Sequence, residues 1–293
     1  METQRTVGYE DSLLLALATF AKGVIVCAVI AGVPLPVNGA EAQSIAVPEI
    51  RPGILAGYLS SEALPNSLAL IPPPPAAGTA ALALDEEVSR ISAELRGTPR
   101  WTLAAEDADL RFPQAAGTFT CALNAPVTEL DTPHLYMLLR RSLADAGLST
   151  YAAKDHYRRT RPFVAHNQPT CTPGDKPQLR DDGSYPSGHT AVGWAWALIL
   201  SEVAPDQTDA ILARGRAFGQ SRVICNVHWE SDVIEGRFIG ASAVARLHSN
   251  SAFLADLDAA KAELTAVRAK GLKPTRDCLA EATELSLAPP RAP

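Results

Sequence analysis

The sequence predicts an all-α fold, a single compact helical domain with an extended, proline-rich N-terminal arm. Three observations carry that expectation. From Asp85 onward, sustained period-2 alternation of β-branched residues is absent, which removes the sheet signal. The same stretch repeats apolar residues at helical spacing among Ala, Leu, Glu and Arg, all good helix formers except where caps interrupt them. At 293 residues, 47% hydrophobic and 20% charged, the chain can bury one large core or two small ones, and it is neither disordered nor fibrous. The formal net charge of −6 gives no electrostatic reason to expect a nucleic-acid partner. Any anion bound here must be held by a local cluster of positive groups.

Taken in order, residues 1–42 read as a signal peptide. Lys22 precedes the apolar run Gly23–Leu35; Pro34, Pro36, Asn38 and Gly39 break helix; Ala40-Glu41-Ala42 supplies the small-x-small cleavage site. That places the mature protein in the periplasm or outside the cell. An uncleaved anchor is the rival reading, with Leu13 to Leu35 as one span and Lys22 in its middle. Residues 43–84 are rich in Pro, Ala, Ser and Leu, and the tetraproline Pro72–Pro75 favours an extended arm. The domain is expected over 85–285 and a tail over 286–293. Its helices are expected near 85–97, 99–109, 132–147, 149–161, 188–203, 207–225, 229–248 and 251–269. Thr132-Pro133 and Ser149 stand at starts, and Gly147 and Gly271 follow ends. The apolar stretch Ala191–Leu200 is too short to cross a bilayer and reads as a buried core helix.

Export gives the cysteines a meaning. Cys27 leaves with the signal, and Cys121, Cys171, Cys225 and Cys278 remain. An even count in an oxidising compartment points to two disulfides in one of three connectivities, with four buried thiols as the alternative. The pairing expected is Cys121 with Cys171 and Cys225 with Cys278. No CxxC or Cys/His zinc spacing occurs, so no metal site is expected.

Three segments carry chemistry. Lys154 and Arg161 are seven residues apart. On one helix, at about 100° per residue, both cations share a face, and Pro162 places Arg161 at its end. Gly183-Ser-Tyr-Pro-Ser-Gly-His-Thr190 leads into the apolar helix. Its Pro-Ser-Gly builds a helix N-terminus whose open N–H groups and dipole attract anions, with Gly188 allowing close approach, Ser187 adding a hydroxyl and His189 on the first turn. Arg222, His228 and Asp232 form the third segment. Arg222 is a forked, permanent cation suited to phosphate oxygens. Asp232, one turn beyond His228, can accept the Nδ1 proton and leave Nε2 free. His134, His156, His166 and His248 match no motif, nor do Arg140, Arg141, Arg158 and Arg159, although Arg158 or Arg159 could fringe the site. At least one of Trp194 and Trp196 is expected in the core, and Tyr185 at the pocket mouth.

Lys-x6-Arg-Pro, Pro-Ser-Gly-His and Ser-Arg-x5-His-x3-Asp, once each and in this order, resemble the signature of the type 2 phosphatidic acid phosphatase superfamily. Ile71-Pro-Pro-Pro-Pro75, Ala104-Ala-Glu-Asp-Ala108, Gly193-Trp-Ala-Trp196 and His228-Trp-Glu-Ser-Asp232 further resemble the soluble bacterial class A non-specific acid phosphatases, over about residues 55 to 270. The resemblance implies hydrolysis of a broad range of phosphate monoesters at acid pH, without a cofactor, by a homodimer. His228 would be phosphorylated, Asp232 would orient it, and His189 would act as acid and then base. Lys154, Arg161, Ser187, Gly188 and Arg222 would hold the phosphate, and vanadate would inhibit by mimicking it. The rivals are a vanadium-dependent haloperoxidase, which shares the oxyanion pocket, a membrane lipid phosphatase and a non-catalytic binding protein.

Overall fold

A computed structural model of the chain describes residues 47–287. The expected signal peptide lies outside them, as do residues 288–293. A two-stranded antiparallel hairpin, β1 (Glu49–Arg51) and β2 (Ile54–Leu55), comes first. Next come α1 (Ser67–Leu70), α2 (Ala80–Ser92), α3 (Pro99–Glu106) and α4 (Thr120–Leu123). Then follow α5 (Pro133–Leu148), α6 (Tyr151–Tyr157), α7 (Pro162–Ala165) and α8 (Lys176–Asp181). The last five are α9 (Gly188–Val203), α10 (Thr208–Ile224), α11 (Glu230–Leu247), α12 (Ser251–Ala269) and α13 (Cys278–Ser286). The hairpin aside, the described chain is all-α, as its periodicity predicted. Among the described residues no helix is long and apolar enough to cross a membrane.

The core is organised around α9. Its run of Ala, Val, Ile, Leu and Trp is buried almost throughout, and α5, α10 and α11 pack against it. Trp196 is fully buried, with Phe112 and Phe119 edge-on to its indole ring. The indole N–H donates to the Leu139 carbonyl at 3.0 Å, so the polar end of a large apolar side chain is satisfied. Glycines set how closely the neighbours approach. A Cβ at Gly193 would lie 2.1 Å from the Phe218 ring, one at Gly240 2.4 Å from the Ala191 carbonyl oxygen, and one at Gly236 2.6 Å from that of Ser187. Thus α11 lies against the backbone at the start of α9, and the Phe218 ring of α10 occupies the space that Gly193 leaves.

Of the arm expected over 43–84, the described residues begin at 47 and lie fastened along the helical body. Beyond the hairpin and α1, its residues are bound into the body: the Tyr58 and Leu59 N–H groups donate to the Asp145 carboxylate, and the Tyr58 hydroxyl donates to Asp256 at 2.7 Å. The tetraproline forms no helix, because its residues lack the N–H that a helix needs. It too is fastened, by the Tyr185 hydroxyl donating to the Pro72 carbonyl at 2.7 Å. The helix expected from residue 85 begins at Ala80, since Thr79 accepts from the Leu82 N–H as N-cap. The helix expected over 149–161 stops at Tyr157, where Arg158 takes a left-handed conformation (φ 44°). A further helix that the sequence reading did not place, α13, closes the expected domain and ends at Ser286, the first residue of the expected tail.

The disulfides also correct the expected pairing. Cys121 joins Cys278, with Cα atoms 5.4 Å apart, and Cys171 joins Cys225 at 4.8 Å. The reason is tertiary: the segment after α7 returns to the C-terminal end of α10, while α13 packs on α3, beside α4. The Cys121–Cys278 bridge closes a span of 157 residues and fastens a helix whose only buried residue is Glu281. Replacing both cysteines by alanine is expected to reduce unfolding free energy by about 2–5 kcal/mol in a denaturant titration, with catalytic rate at low temperature retained.

Candidate active site

The three sequence segments meet at one pocket of about 310 Å³. Lys154, Arg161, Gly188, His189 and His228 line it. Ser187 and Arg222 lie buried outside its lining. Side walls of Ile54, Leu110, Leu143 and Val192, with Ile50 and Arg51 from the hairpin, make the rest largely apolar. Tyr185, expected at the mouth, is instead packed in the core against Ile71 and Ala153.

Lys154 and Arg161 converge, although not as the seven-residue spacing implied. Lys154 lies on α6, whereas Arg161 is the extended N-cap residue of α7 (ψ 151°). Pro162 disfavours helical geometry at Arg161. What reunites the cations is Asp182, which the sequence reading missed. Its Oδ2 accepts from Arg161 Nη2 at 2.9 Å and from Lys154 Nζ at 3.3 Å. The Gly183 carbonyl accepts from both. Arg161 Nε donates to the Leu179 and Asp182 carbonyls, and Nη1 to the Val227 carbonyl at 2.9 Å. Arg222 is different. It is 1% exposed, and its Nε and Nη1 have no partner among the described residues. Buried cationic N–H groups are rarely left so, and an oxyanion is the natural partner.

Ser187 caps α9, its hydroxyl accepting from the Thr190 N–H at 3.3 Å and the Thr190 hydroxyl at 2.9 Å. It is tied to the third segment by its own N–H, which donates to the Asp232 carbonyl at 2.9 Å. His228 was expected on the same helix as Asp232, but it precedes α11; Asp232 sits in the first turn of that helix and accepts from the Trp229 N–H at 2.8 Å. A first-turn carboxylate that caps its own helix is favoured by the dipole, and the same oxygen lies 3.3 Å from His228 Nδ1. Arg161 Nη1 is 3.0 Å from His228 Nε2. A guanidinium can only donate, so Nε2 bears a lone pair and Nδ1 the proton. For His189, Nε2 lies 3.0 Å from the Ala108 carbonyl; a carbonyl only accepts, so Nε2–H is fixed and Nδ1 is the exchangeable nitrogen.

Burial and crowded charge set the titrations. Burial, then Arg161, pushes the Lys154 ammonium down to about 8. Burial, then Arg161, brings Arg222 down to about 10. Burial depresses both histidines well below the usual imidazole range, with Arg222 the next cause for His189 and Arg161 for His228. Both are therefore neutral in a pocket rich in cations. Among the described residues no three His, Cys, Asp or Glu side chains are grouped to hold a metal. His134, His156, His166 and His248 lie outside the lining; His166 and His248 approach the carboxylates of Glu86 and Glu202.

Comparison with known proteins bears on what such a pocket does. Residues 135–253, which span all three segments, match the PAP2 superfamily. The chain is 45% identical to a non-specific acid phosphatase of Providencia stuartii over 212 residues, 72% of this chain and 86% of the relative. It is 42% identical to a non-specific acid phosphatase of Salmonella typhimurium over 73% and 89% of the two chains. It is 39% identical to an acid phosphatase of Zymomonas mobilis over 71% and 79%. The chain belongs to the class A acid phosphatases of the PAP2 superfamily. It is thus a phosphoric monoester hydrolase. The superfamily match begins at Leu135, so the hairpin residues that wall the pocket are outside it.

Because Gly236 of α11 lies under the Ser187 carbonyl, that contact couples helix packing to the site. Gly236→Ala is expected to displace the Ser187–His189 turn. Its kcat/KM should fall by about 10–100-fold, as for loss of an outer partner of a reacting group, while circular dichroism reports an intact helical fold.

Proposed function

We propose that this phosphatase hydrolyses a broad range of phosphate monoesters through a phosphohistidine on His228, without a metal. The observation that carries the reading is the His228 imidazole: its Nε2 lone pair stands beside Arg161, and its Nδ1–H faces the buried Asp232 carboxylate. Phosphoryl transfer has a loose transition state with charge spread over the equatorial oxygens, so the protein chiefly positions and neutralises. Lys154, Arg161 and the partnerless Nε and Nη1 of Arg222 supply that charge, and Ser187 with the Gly188 N–H completes the cradle.

As the phosphate enters, Arg161 leaves Nε2 for a phosphate oxygen. Nε2 forms the N–P bond, the P–O bond to the alcohol breaks, and His189 Nδ1–H protonates the departing oxygen. Asp232 meets the charge gained by the imidazole. Water then attacks phosphorus, His189 takes its proton, and the N–P bond breaks to release inorganic phosphate. A dianionic ester beside His189 offsets Arg222 and restores the proton affinity that burial removed. His228, held neutral by burial and Arg161, stays nucleophilic into acid solution. This supports the acid optimum that the sequence implied. Vanadate is expected to inhibit as a phosphate mimic. Export to the periplasm or beyond is supported by the two disulfides, and family resemblance supports a homodimer.

Acid-stable trapping is unsuited to an N–P bond, so the decisive experiment is an alkaline quench during turnover of p-nitrophenyl phosphate in the presence of a chelator. Mass spectrometry of the wild type should place one phosphoryl group on His228, and His228→Ala should neither trap it nor turn over. An H228A variant with near wild-type kcat would overturn the reading. The kcat/KM profile reports the free enzyme. It should fall as pH rises through about 8, where Lys154 loses its proton, and Lys154→Arg should flatten that alkaline limb.

A further inference from the structure

Asp232 is itself held from behind. One of its oxygens serves Trp229 N–H and His228, as described above. The other accepts from Arg159 Nη1 at 2.7 Å. The same guanidinium donates to the Ser231 hydroxyl at 2.7 Å and, through Nη2, to Asp85 at 2.7 Å. Asp85 closes the cluster by accepting from the Ser231 N–H at 2.8 Å and the Ser231 hydroxyl at 2.6 Å. Arg159 and Asp85 are 9% and 2% exposed at their side chains, and Asp232 is wholly buried. Arg159 also lies over the Trp229 ring, 5.3 Å from its centroid. It lies outside the pocket lining, and its two terminal nitrogens are already engaged by Asp232, Ser231 and Asp85.

We propose that Arg159, backed by Asp85 and Ser231, is the positioning residue that keeps Asp232 ionised and aimed at His228. The proposal rests on the reading of His228 as nucleophile. A carboxylate buried as deeply as Asp232 is driven to take a proton; burial raises it, and Arg159 is the foremost influence in the other direction. A protonated Asp232 would no longer be an acceptor for Nδ1–H in both of its oxygens, and the imidazole could turn its lone pair away from the phosphate. Arginine suits the task where lysine does not. Its planar fork bridges two carboxylates from α2 and α11, while an ammonium is a single point of charge. Asp85, Arg159 and Asp232 together carry one net negative charge, and the imidazole becomes cationic as its N–P bond forms. The groups that face Asp232 are Arg159 and His228 in contact, Lys154, Arg161 and Tyr185 at longer range, and Asp85 behind Arg159.

The test is the pH dependence of kcat for Arg159→Met, Arg159→Lys and Asp85→Asn. Without the guanidinium, Asp232 binds its proton more tightly, so the acid limb of Arg159→Met moves to higher pH. Its kcat falls about 10–100-fold, as for outer partners of ligating histidines, with KM little changed. Arg159→Lys restores the charge and returns the limb toward wild type. Asp85→Asn removes a like charge from the cluster, so its limb moves to lower pH; it carries the test alone if Arg159→Met fails to fold. An unshifted limb, shifts in the same direction for both sites, or a raised KM at unchanged kcat overturns the proposal. Wild-type enzyme that traps no phosphoryl group on His228 overturns the nucleophile reading and this one together. Trapping with an unshifted limb overturns this one alone.

Discussion

Three buried cations meet at one small pocket, Lys154 and Arg161 in its lining and Arg222 beside it, and the surrounding fold is arranged to hold them there. Lys154, Arg161 and Arg222 are each 4% exposed or less. At an effective dielectric near 20, two like charges 4 Å apart repel by about 4 kcal/mol, so such a cluster persists only if acceptors surround it. The backbone carbonyls of Leu179, Asp182, Gly183 and Val227 and the Asp182 carboxylate do this for Lys154 and Arg161. Arg222 keeps two partnerless nitrogens. The pocket therefore has a strong field for an oxyanion although the chain's net charge is −6.

The same field prepares the histidines. In water an imidazole near neutrality is partly protonated, but burial beside guanidinium groups keeps both rings neutral. Their tautomers are then set by neighbours that can only donate or only accept: Arg161 for His228 and the Ala108 carbonyl for His189. Asp232 has two duties in one carboxylate, since it caps α11 through the Trp229 N–H and faces His228 Nδ1. Helix initiation and orientation of the His228 ring are thereby one local structure. Close approach of α11 to α9 at Gly236 and Gly240 brings that structure to the Ser187 cap, so packing of apolar helices fixes the distance between segments remote in the chain.

Sequence reasoning failed where the backbone left regular helix. Arg158 turns left-handed and Arg161 is extended, so the seven-residue spacing says nothing true about a shared helical face, although the two cations do meet. His228 likewise stands before its helix and still reaches Asp232. Asp182, Asp85 and Arg159 gave no local signal, because each acts on residues 21 to 146 positions away. The disulfide pairing was illegible for the same reason.

Amino-acid order alone determined the helical class, the buried identity of the 188–203 helix and the three segments that meet at the pocket, since these depend on residues within a few positions of one another. Caps, periodicity and proline geometry are local forces. Which cysteines join, which carboxylate answers Lys154 and Arg161, and which ring nitrogen faces the pocket were decided only in three dimensions. A buried charge selects its partner by proximity after the helices have packed, and no spacing along the chain encodes that distance.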